Sequence, residues 1–175
     1  EHAMSVSAAD RHRSVLPPAE DYTEVGFNYR MTDLQAAMGL VQLGRLEQIV
    51  ARRRELAARY RTELSGIPGL RCVGDPDHGT SNFQSFWVEV APPYPMTRDG
   101  LLAHLAERDI SARRGIMAAH RQPAYDAAEA VSLPVTDRLT DNTLILPLFH
   151  TLTHVDQDRV IDAVRSGAST EENRP

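Results

Sequence analysis

The sequence contains no lysine, because all 19 residues in the combined lysine and arginine count are arginines. None of its side chains therefore offers a primary amine. Cysteine is nearly absent too, since Cys72 is the single example. One cysteine excludes an internal disulfide and fits a reducing compartment, so we expect a cytoplasmic protein in which Cys72 is buried in a strand.

Long hydrophobic runs are also missing. No stretch of 18 or more apolar residues occurs, so we expect no membrane span. A formal net charge of −5 argues against a nucleic-acid coat or a sheath on a membrane surface. The run Arg52-Arg53-Arg54 has no interleaved aromatic residues and has Glu47 and Glu55 nearby. It therefore predicts a solvated helix face, and we expect neither nucleic acid nor a membrane as a partner.

The motifs of several enzyme classes are absent. The sequence has no G-x-S-x-G and no glycine-rich dinucleotide or Walker loop. His150 and His154 are four residues apart, a spacing that can place two imidazoles on one helix face, but they lack the adjacent Glu of a zinc-protease helix. We predict no metal site.

The length of 175 residues suits one domain or one and a half. The sequence begins at Glu1 without an initiator methionine and without a signal pattern, so we expect a segment of a longer protein. Residues 1–25 predict a connecting segment with at most a short helical turn.

A long helix follows, because Thr32 and Gln35 have the spacing of a capping box. The helix is predicted from about Asp33 until 65–69, about 32 residues or roughly 48 Å, a length that suggests a strut between two domains. Further on, the pattern predicts strands at 70–73, 82–90, 110–116 and 143–146, and helices at 98–108 and 156–164. Strands that alternate with helices predict an α/β layer.

Polar groups of three kinds precede the long helix, in the stretch G-F-N-Y-R-M-T-D-L. Asn28 can donate two hydrogen bonds, Tyr29 offers a hydroxyl or a stacking face, and Arg30 can bind a phosphate or carboxylate with two parallel bonds. Together these groups suit an anion. The alternative is structural: Asn28 fixes a turn, and Arg30 pairs with Asp33 on the surface.

The stretch G-F-N-Y-R-M-T-D-L-Q-A-A-M-G-L-V-Q-L-G-R-L resembles the DegT/StrS family of pyridoxal-phosphate-dependent sugar aminotransferases. Three later stretches agree in the same order: Q-S-F-W-V at 84–88, A-R-R-G-I-M-A-A-H-R-Q-P-A-Y at 112–125, and L-P-V-T-D-R-L-T-D-N-T-L-I-L-P-L-F-H at 133–150. The resemblance covers about residues 20–167. It implies an α/β chain that forms the bridging helix and the small C-terminal domain of a fold-type-I transferase.

The resemblance divides the chain into four parts. Residues 1–31 would end the large domain and carry the cofactor-phosphate loop, 32–65 would be the bridging helix, 66–167 the small α/β domain, and 168–175 a frayed tail. It further implies that Asn28, Arg30 and Tyr29 bind the phosphate of pyridoxal phosphate in the neighbouring subunit of a homodimer with shared sites. His120, Arg113 and Arg114 match a segment near the substrate entrance, although the two arginines could simply alternate across an edge strand.

Such an enzyme moves an amino group from glutamate to a keto-sugar, commonly nucleotide-linked, and needs a lysine amine to do so. In the family this lysine lies upstream of the segment that matches residue 1, so we expect no catalytic residue in this chain and no transamination by the chain alone. Two alternatives remain open. One is a non-catalytic interaction module that stands by itself; the other is a dehydratase of the same family, in which histidine replaces the upstream lysine.

Overall fold

The computed structural model describes residues 27, 29–123, 125 and 132–169. The predictions for the connecting segment 1–25, for Asn28 and for the tail beyond 169 lie outside these residues. The chain divides into two compact units, Glu1–Gly44 and Arg45–Pro175. The division between units falls inside the first described helix, and the domain boundaries proposed from the sequence stay predictions.

The first described helix, α1, runs from Asp33–Glu63 and matches the predicted helix closely. Its start follows the predicted capping box, because the Thr32 amide donates to Gln35 Oε1 at 2.9 Å and the Gln35 amide donates to Thr32 Oγ1 at 3.3 Å. Gly66 follows its end with φ of 78°, a left-handed conformation that glycine adopts without a Cβ penalty. Local cap chemistry therefore sets both ends of this helix.

In the described part of the chain, four strands form one antiparallel sheet in the order β1-β2-β4-β3. The strands are β1 (Leu70–Cys72), β2 (Phe86–Val90), β3 (Arg113–Arg114) and β4 (Thr143–Leu146). The prediction for β4 is confirmed, and that for β1 is confirmed to within one residue. The predicted strands 82–90 and 110–116 are too long, since only their parts in β2 and β3 join the ladder.

Local hydrogen bonds explain why β2 starts late. The Phe83 amide donates to Ser81 Oγ at 3.0 Å, and the Gln84 amide donates to Asn82 Oδ1 at 3.1 Å. Phe83 itself has φ of 47°, which no strand residue adopts. Short polar side chains that bind nearby backbone amides in this way compete with strand pairing.

Three more α-helices follow in chain order: α2 (Arg98–Ala106), α3 (Pro134–Asn142) and α4 (His154–Ala168), with a 3₁₀ turn at Ala119–Arg121. Thr97 caps α2 as predicted, with its Oγ1 3.1 Å from the Gly100 amide. Helix α4 begins two residues before its predicted start, because Thr153 caps it through the Asp156 amide at 3.0 Å. Helix α3 was not predicted, although its first residue, Pro134, is a known helix-start signal.

The core of the unit Arg45–Pro175 lies on one face of the sheet. Strand residues on that face are buried against side chains of α1, α2 and α4. This core includes Phe86, Val88, Leu144, Tyr60, Leu101, Leu105 and Ile161. Two long-range hydrogen bonds fix this packing: the Tyr60 hydroxyl donates to the Pro147 carbonyl at 3.0 Å, and Gln157 Nε2 donates to the Leu56 carbonyl at 2.8 Å. The opposite face of the sheet carries Trp87, Glu89 and Ile145, and α3 contacts it.

Candidate functional site

The loop before α1 presents its side chains to solvent. Tyr29 is 80% exposed, and Arg30 is exposed as well. The Tyr29 amide donates to the Phe27 carbonyl at 3.2 Å, and the two rings lie 5.8 Å apart, so the loop has local order of its own. Asn28, between these aromatic residues, lies outside the described residues.

The chemistry of this loop fits a phosphate group. A phenolic hydroxyl and a guanidinium are donors that match phosphate oxygens, and Arg binds them with two parallel bonds. The capped N-terminus of α1 follows directly, and a helix N-terminus favours negative charge. The fit ends at the phosphate, because the chain has no lysine that could bond covalently to an aldehyde-bearing cofactor.

The predicted substrate residues Arg113 and Arg114 lie on opposite faces of the sheet. Arg113 pairs with Ile145 and Arg114 with Leu144 in the β3 to β4 ladder. Because neighbouring strand residues alternate between faces, the two guanidinium groups diverge. The structure therefore does not bring the two guanidinium groups together. They are not placed to contact one small anion jointly.

Arg114 already holds a carboxylate. Its Nη2 lies 3.1 Å from Asp99 Oδ2 and its Nε 3.3 Å from Asp99 Oδ1, a fork that joins β3 to α2. The Arg114 hydrogen bond, assisted by one from Arg98, lowers the pKa of Asp99 below its ordinary value. A substrate anion would have to compete with this carboxylate, which is present at neutral pH.

Arg113 differs from Arg114 in its surroundings. Within residues 29–123 and 132–169, its guanidinium has no hydrogen-bonding or ionic partner. It lies on the Trp87 and Ile145 side of the sheet, where it lines a hollow of about 220 Å³ together with Ser85 and Ser111. Arg113 is thus an available cation on the wall of this hollow.

His120 is held by α3. Its Nε2 lies 2.9 Å from Asp137 Oδ1, and the same oxygen lies 2.6 Å from Arg121 Nε. Arg121 also binds Asp141 through both oxygens, at 2.6 and 3.1 Å. That double hydrogen bond lowers the pKa of Asp141 below its ordinary value. The turn Ala119–Arg121 is therefore fixed to two carboxylates one helical turn apart.

The sequence did not predict that carboxylates in this region bind the candidate site residues. Asp99, Asp137 and Asp141 give no periodic or motif signal, because each acts on a residue 15 to 20 positions away. The one usable signal was Pro134, which marks the start of the helix that carries two of them. Side chains that meet only through the fold cannot be paired from spacing.

The arginine run of α1 was predicted as a solvated face, and this holds for Arg54 but not for Arg52 and Arg53, which are half-buried. All three side chains donate hydrogen bonds to backbone carbonyls: Leu152 for Arg52 at 3.0 Å, Phe83 for Arg53 at 2.8 Å, and Ser81 for Arg54 at 2.9 Å. These arginines fasten the loop before β2 and the turn before α4. Their role is structural.

Of the two histidines considered for a metal, His150 is exposed and His154 contacts the long helix. His154 is the first residue of α4, and its Nε2 lies 3.2 Å from Arg52 Nη1 and 3.3 Å from Glu55 Oε1. Among the described residues, no three His, Cys, Asp or Glu side chains form a group that could hold a metal. In the same part of the chain, every helix is too short or too polar to cross a membrane.

A sequence profile of the DegT/DnrJ/EryC1/StrS aminotransferase family matches residues 1–165. The chain belongs to this family. The match includes the loop before α1, the long helix and the segments of Arg113 and His120, so the resemblance found in the sequence is confirmed. Pyridoxal phosphate is the cofactor of this family.

Solved structures agree in fold. The aminotransferase TlmJ from Streptoalloteichus hindustanus is 33% identical, with a TM-score of 0.76, and the match covers 89% of this chain and 41% of TlmJ. The sugar aminotransferase CalS13 from Micromonospora echinospora is 25% identical, with a TM-score of 0.76 over 94% of this chain and 42% of CalS13. DesI, solved in the presence of its TDP-sugar product, is 29% identical, with a TM-score of 0.74 over 80% of this chain and 36% of DesI. The chain thus spans about two fifths of these structures, and its α/β fold is that of this class of transferase.

Proposed function

We propose that this chain is the C-terminal portion of a pyridoxal-phosphate-dependent aminotransferase that transfers an amino group from glutamate to a nucleotide-linked keto-sugar. The observation that carries the proposal is the family match over residues 1–165 together with an exposed Tyr29-Arg30 loop fixed to a capped helix. The TDP-sugar product of DesI and the sugar aminotransferase CalS13 support this substrate class.

The loop before α1 would hold the cofactor phosphate in trans, in a homodimer with two shared sites. Arg30 would neutralise the phosphate with two parallel hydrogen bonds, Asn28 would donate its amide hydrogens, and Tyr29 would add a hydroxyl. When bound, pyridoxal phosphate supplies an electron-withdrawing ring that stabilises charge at the carbon where the amino group is exchanged. This chain's task at that end of the site is binding and orientation.

The segment from β3 to the 3₁₀ turn would contact the substrate. His120, held by Asp137, and Arg113, which lines a hollow of about 220 Å³, are the side chains that we propose for this role. Arg114 was assigned the same role from the resemblance, and it stays a prediction. Its fork to Asp99 supports a structural part in fixing the edge strand to α2.

The exposed first half of α1 supports an assembly with further protein. Leu34, Met38 and Val41 are all more than 60% exposed, and so are Leu40 and Leu43 on other sides of the helix. An apolar helix of this kind is normally covered on several sides. An upstream half of the same enzyme and a second subunit are the partners that we propose.

The first test is the intact mass of the protein as expressed from its gene, followed by an absorbance scan from 300 to 450 nm with added pyridoxal phosphate. A mass well above 19.4 kDa and a cofactor band that glutamate bleaches would support the aminotransferase. A cofactor band that glutamate leaves unchanged would favour a dehydratase. A mass matching the 175 residues and no band would favour an interaction module.

The phosphate contact has its own test in the same intact protein. We expect Arg30→Gln to weaken the affinity for pyridoxal phosphate by about 10- to 100-fold, because a charge-assisted bond is lost. Affinity for pyridoxal, which lacks the phosphate, should change little. Arg45→Gln, at another exposed arginine of α1, is the matched control. An equal loss for both ligands would contradict a direct phosphate contact.

A further inference from the structure

Two side chains of the 3₁₀ turn Ala119–Arg121 converge on a single carboxylate oxygen of helix α3. Asp137 Oδ1 lies 2.9 Å from His120 Nε2 and 2.6 Å from Arg121 Nε. The oxygen of an ionised carboxylate only accepts hydrogen bonds. The His120 nitrogen must therefore donate to this oxygen, while Arg121 forms an ion pair with it.

Helix α3 is itself fixed, so Asp137 has a defined position. Arg138, the next residue, binds Glu89 Oε1 at 2.8 Å, and Glu89 is only 4% exposed. Arg98 of α2 donates to the Thr140 carbonyl at 2.8 Å. These contacts join α3 to the sheet and to α2, and a carboxylate on such a helix can orient a ring that lies on a loop.

The geometry points to Asp137 as a positioning residue that keeps the His120 proton on Nε2 and leaves Nδ1 as a hydrogen-bond acceptor. Because the Nε2–H group donates to the carboxylate, Nδ1 of the neutral ring carries a lone pair. Within the described residues Nδ1 has no hydrogen-bond partner, and the His120 side chain is 23% exposed. Part of this side chain therefore reaches solvent.

An acceptor at this position selects the chemistry of its ligand. Nδ1 would take the hydrogen of a hydroxyl or an amine, whereas it would repel the oxygens of a phosphate. Resting on the proposed function, the ligand is a hydroxyl of the sugar ring. The available cation on the same segment is Arg113, and it suits the nucleotide's phosphates. The two side chains thereby divide the recognition of a nucleotide sugar.

The first experiment examines the ring without any ligand. It uses the protein expressed from its gene with ¹⁵N-labelled histidine, studied by NMR at pH 8. We expect an unprotonated Nδ1 and an observable Hε2 proton, whose exchange with solvent accelerates about tenfold or more in Asp137→Ala, because a charge-assisted bond is lost. Asp137→Asn should rescue most of the protection, since its amide oxygen can still accept.

Asp141→Ala is the matched control, because it removes a partner of Arg121 and leaves the His120 contact in place. In this variant, the exchange rate of the His120 Hε2 proton should stay within about twofold of the rate in the parent protein. Equal acceleration in D141A and D137A would overturn the proposal, since Asp137 would then act only by ordering the turn. A ring protonated on Nδ1 in the parent protein would overturn it too.

The second experiment separates the sugar from the phosphates. Affinity for TDP-glucose should fall about tenfold in both Asp137→Ala and His120→Ala, while affinity for TDP should change less than twofold. Equal losses for both ligands would contradict a hydroxyl contact. If the parent protein binds neither probe, the proposed sugar substrate fails, and the NMR result still decides whether Asp137 positions the ring.

Discussion

Arg138 Nη1 donates a hydrogen bond to Glu89 Oε1 across 2.8 Å, and this contact joins α3 to the second strand of the sheet. The other oxygen of Glu89 forms an ion pair with Arg71 Nη2 at 2.6 Å. The carboxylate is buried, whereas both guanidinium groups reach solvent. Glu89 is thus a buried charge that two arginines from different elements neutralise.

Removing the charges of Arg71 and Arg138 should destabilise the fold more than removing these two charges together with that of Glu89. We expect Arg71→Met with Arg138→Met to cost about 3 kcal/mol in free energy of unfolding, because an uncompensated carboxylate stays buried. Adding Glu89→Gln should recover part of that loss. Urea unfolding followed by circular dichroism measures both. Glu107→Gln, in an exposed pair at 3.9 Å, is the control and should cost less than about 0.5 kcal/mol.

Two glycines with the same backbone conformation should tolerate alanine very differently. Gly69 has φ of 76°, and an added Cβ would lie 2.1 Å from the Ala91 carbonyl oxygen and 2.2 Å from the Tyr94 amide nitrogen. We expect Gly69→Ala to cost more than about 4 kcal/mol, since both neighbours are backbone atoms. Gly66 has φ of 78° with open space around it, so Gly66→Ala should cost only about 1–2 kcal/mol. Similar melting temperatures for the two variants would refute the clash.

Cys72 should be unreactive in the folded protein. Burial raises the pKa of its thiol to about 11 from an ordinary value of 9.0, an effect that Arg61 partly offsets. At pH 8.5 the folded thiol therefore stays protonated, and the thiolate is the reactive form. We expect iodoacetamide to modify native protein at least about tenfold more slowly than protein in urea, with Cys72→Ser as the blank.

The raised pKa of Cys72 also determines the direction in which stability changes with pH. Because the folded pKa lies above the unfolded one, the contribution of Cys72 is complete below about pH 9 and is lost as pH rises toward 11. The native rate of modification should rise steeply over this window and approach the rate in urea. Equal rates at pH 8.5 would show that the thiol is not shielded.

The isolated 175-residue chain should self-associate. The exposed apolar side chains on the first half of α1 form a surface that water solvates poorly. We expect concentration-dependent sedimentation, which Leu34→Glu with Val41→Glu should weaken. Gln42→Glu with Gln48→Glu adds the same charge at exposed polar positions of the helix and should have little effect. A monodisperse parent chain that melts cooperatively as a monomer would contradict the prediction.

Elements whose signals are local were predictable from the sequence. Thr32 and Gln35 predicted the start of α1, and Thr97 predicted the start of α2, because a cap needs only residues three positions apart. Strand β4 was predictable as well, since its apolar run is bounded by polar residues and Pro147. The strand ends near Phe83 and Arg113 were not, because sheet length depends on a partner strand that periodicity does not reveal.

The sequence by itself determined that the chain has an α/β fold, that a long capped helix begins at Asp33, that the chain belongs to its family, and that none of its side chains offers an amine. Each of these follows from residue identity or short-range spacing. Only the tertiary structure decided that Arg114 is tied to Asp99 while Arg113 is available, and that Asp137 holds His120. Those pairings join residues 15 to 17 positions apart through a sheet edge and a helix, and such contacts exist only when the packed fold brings the side chains together.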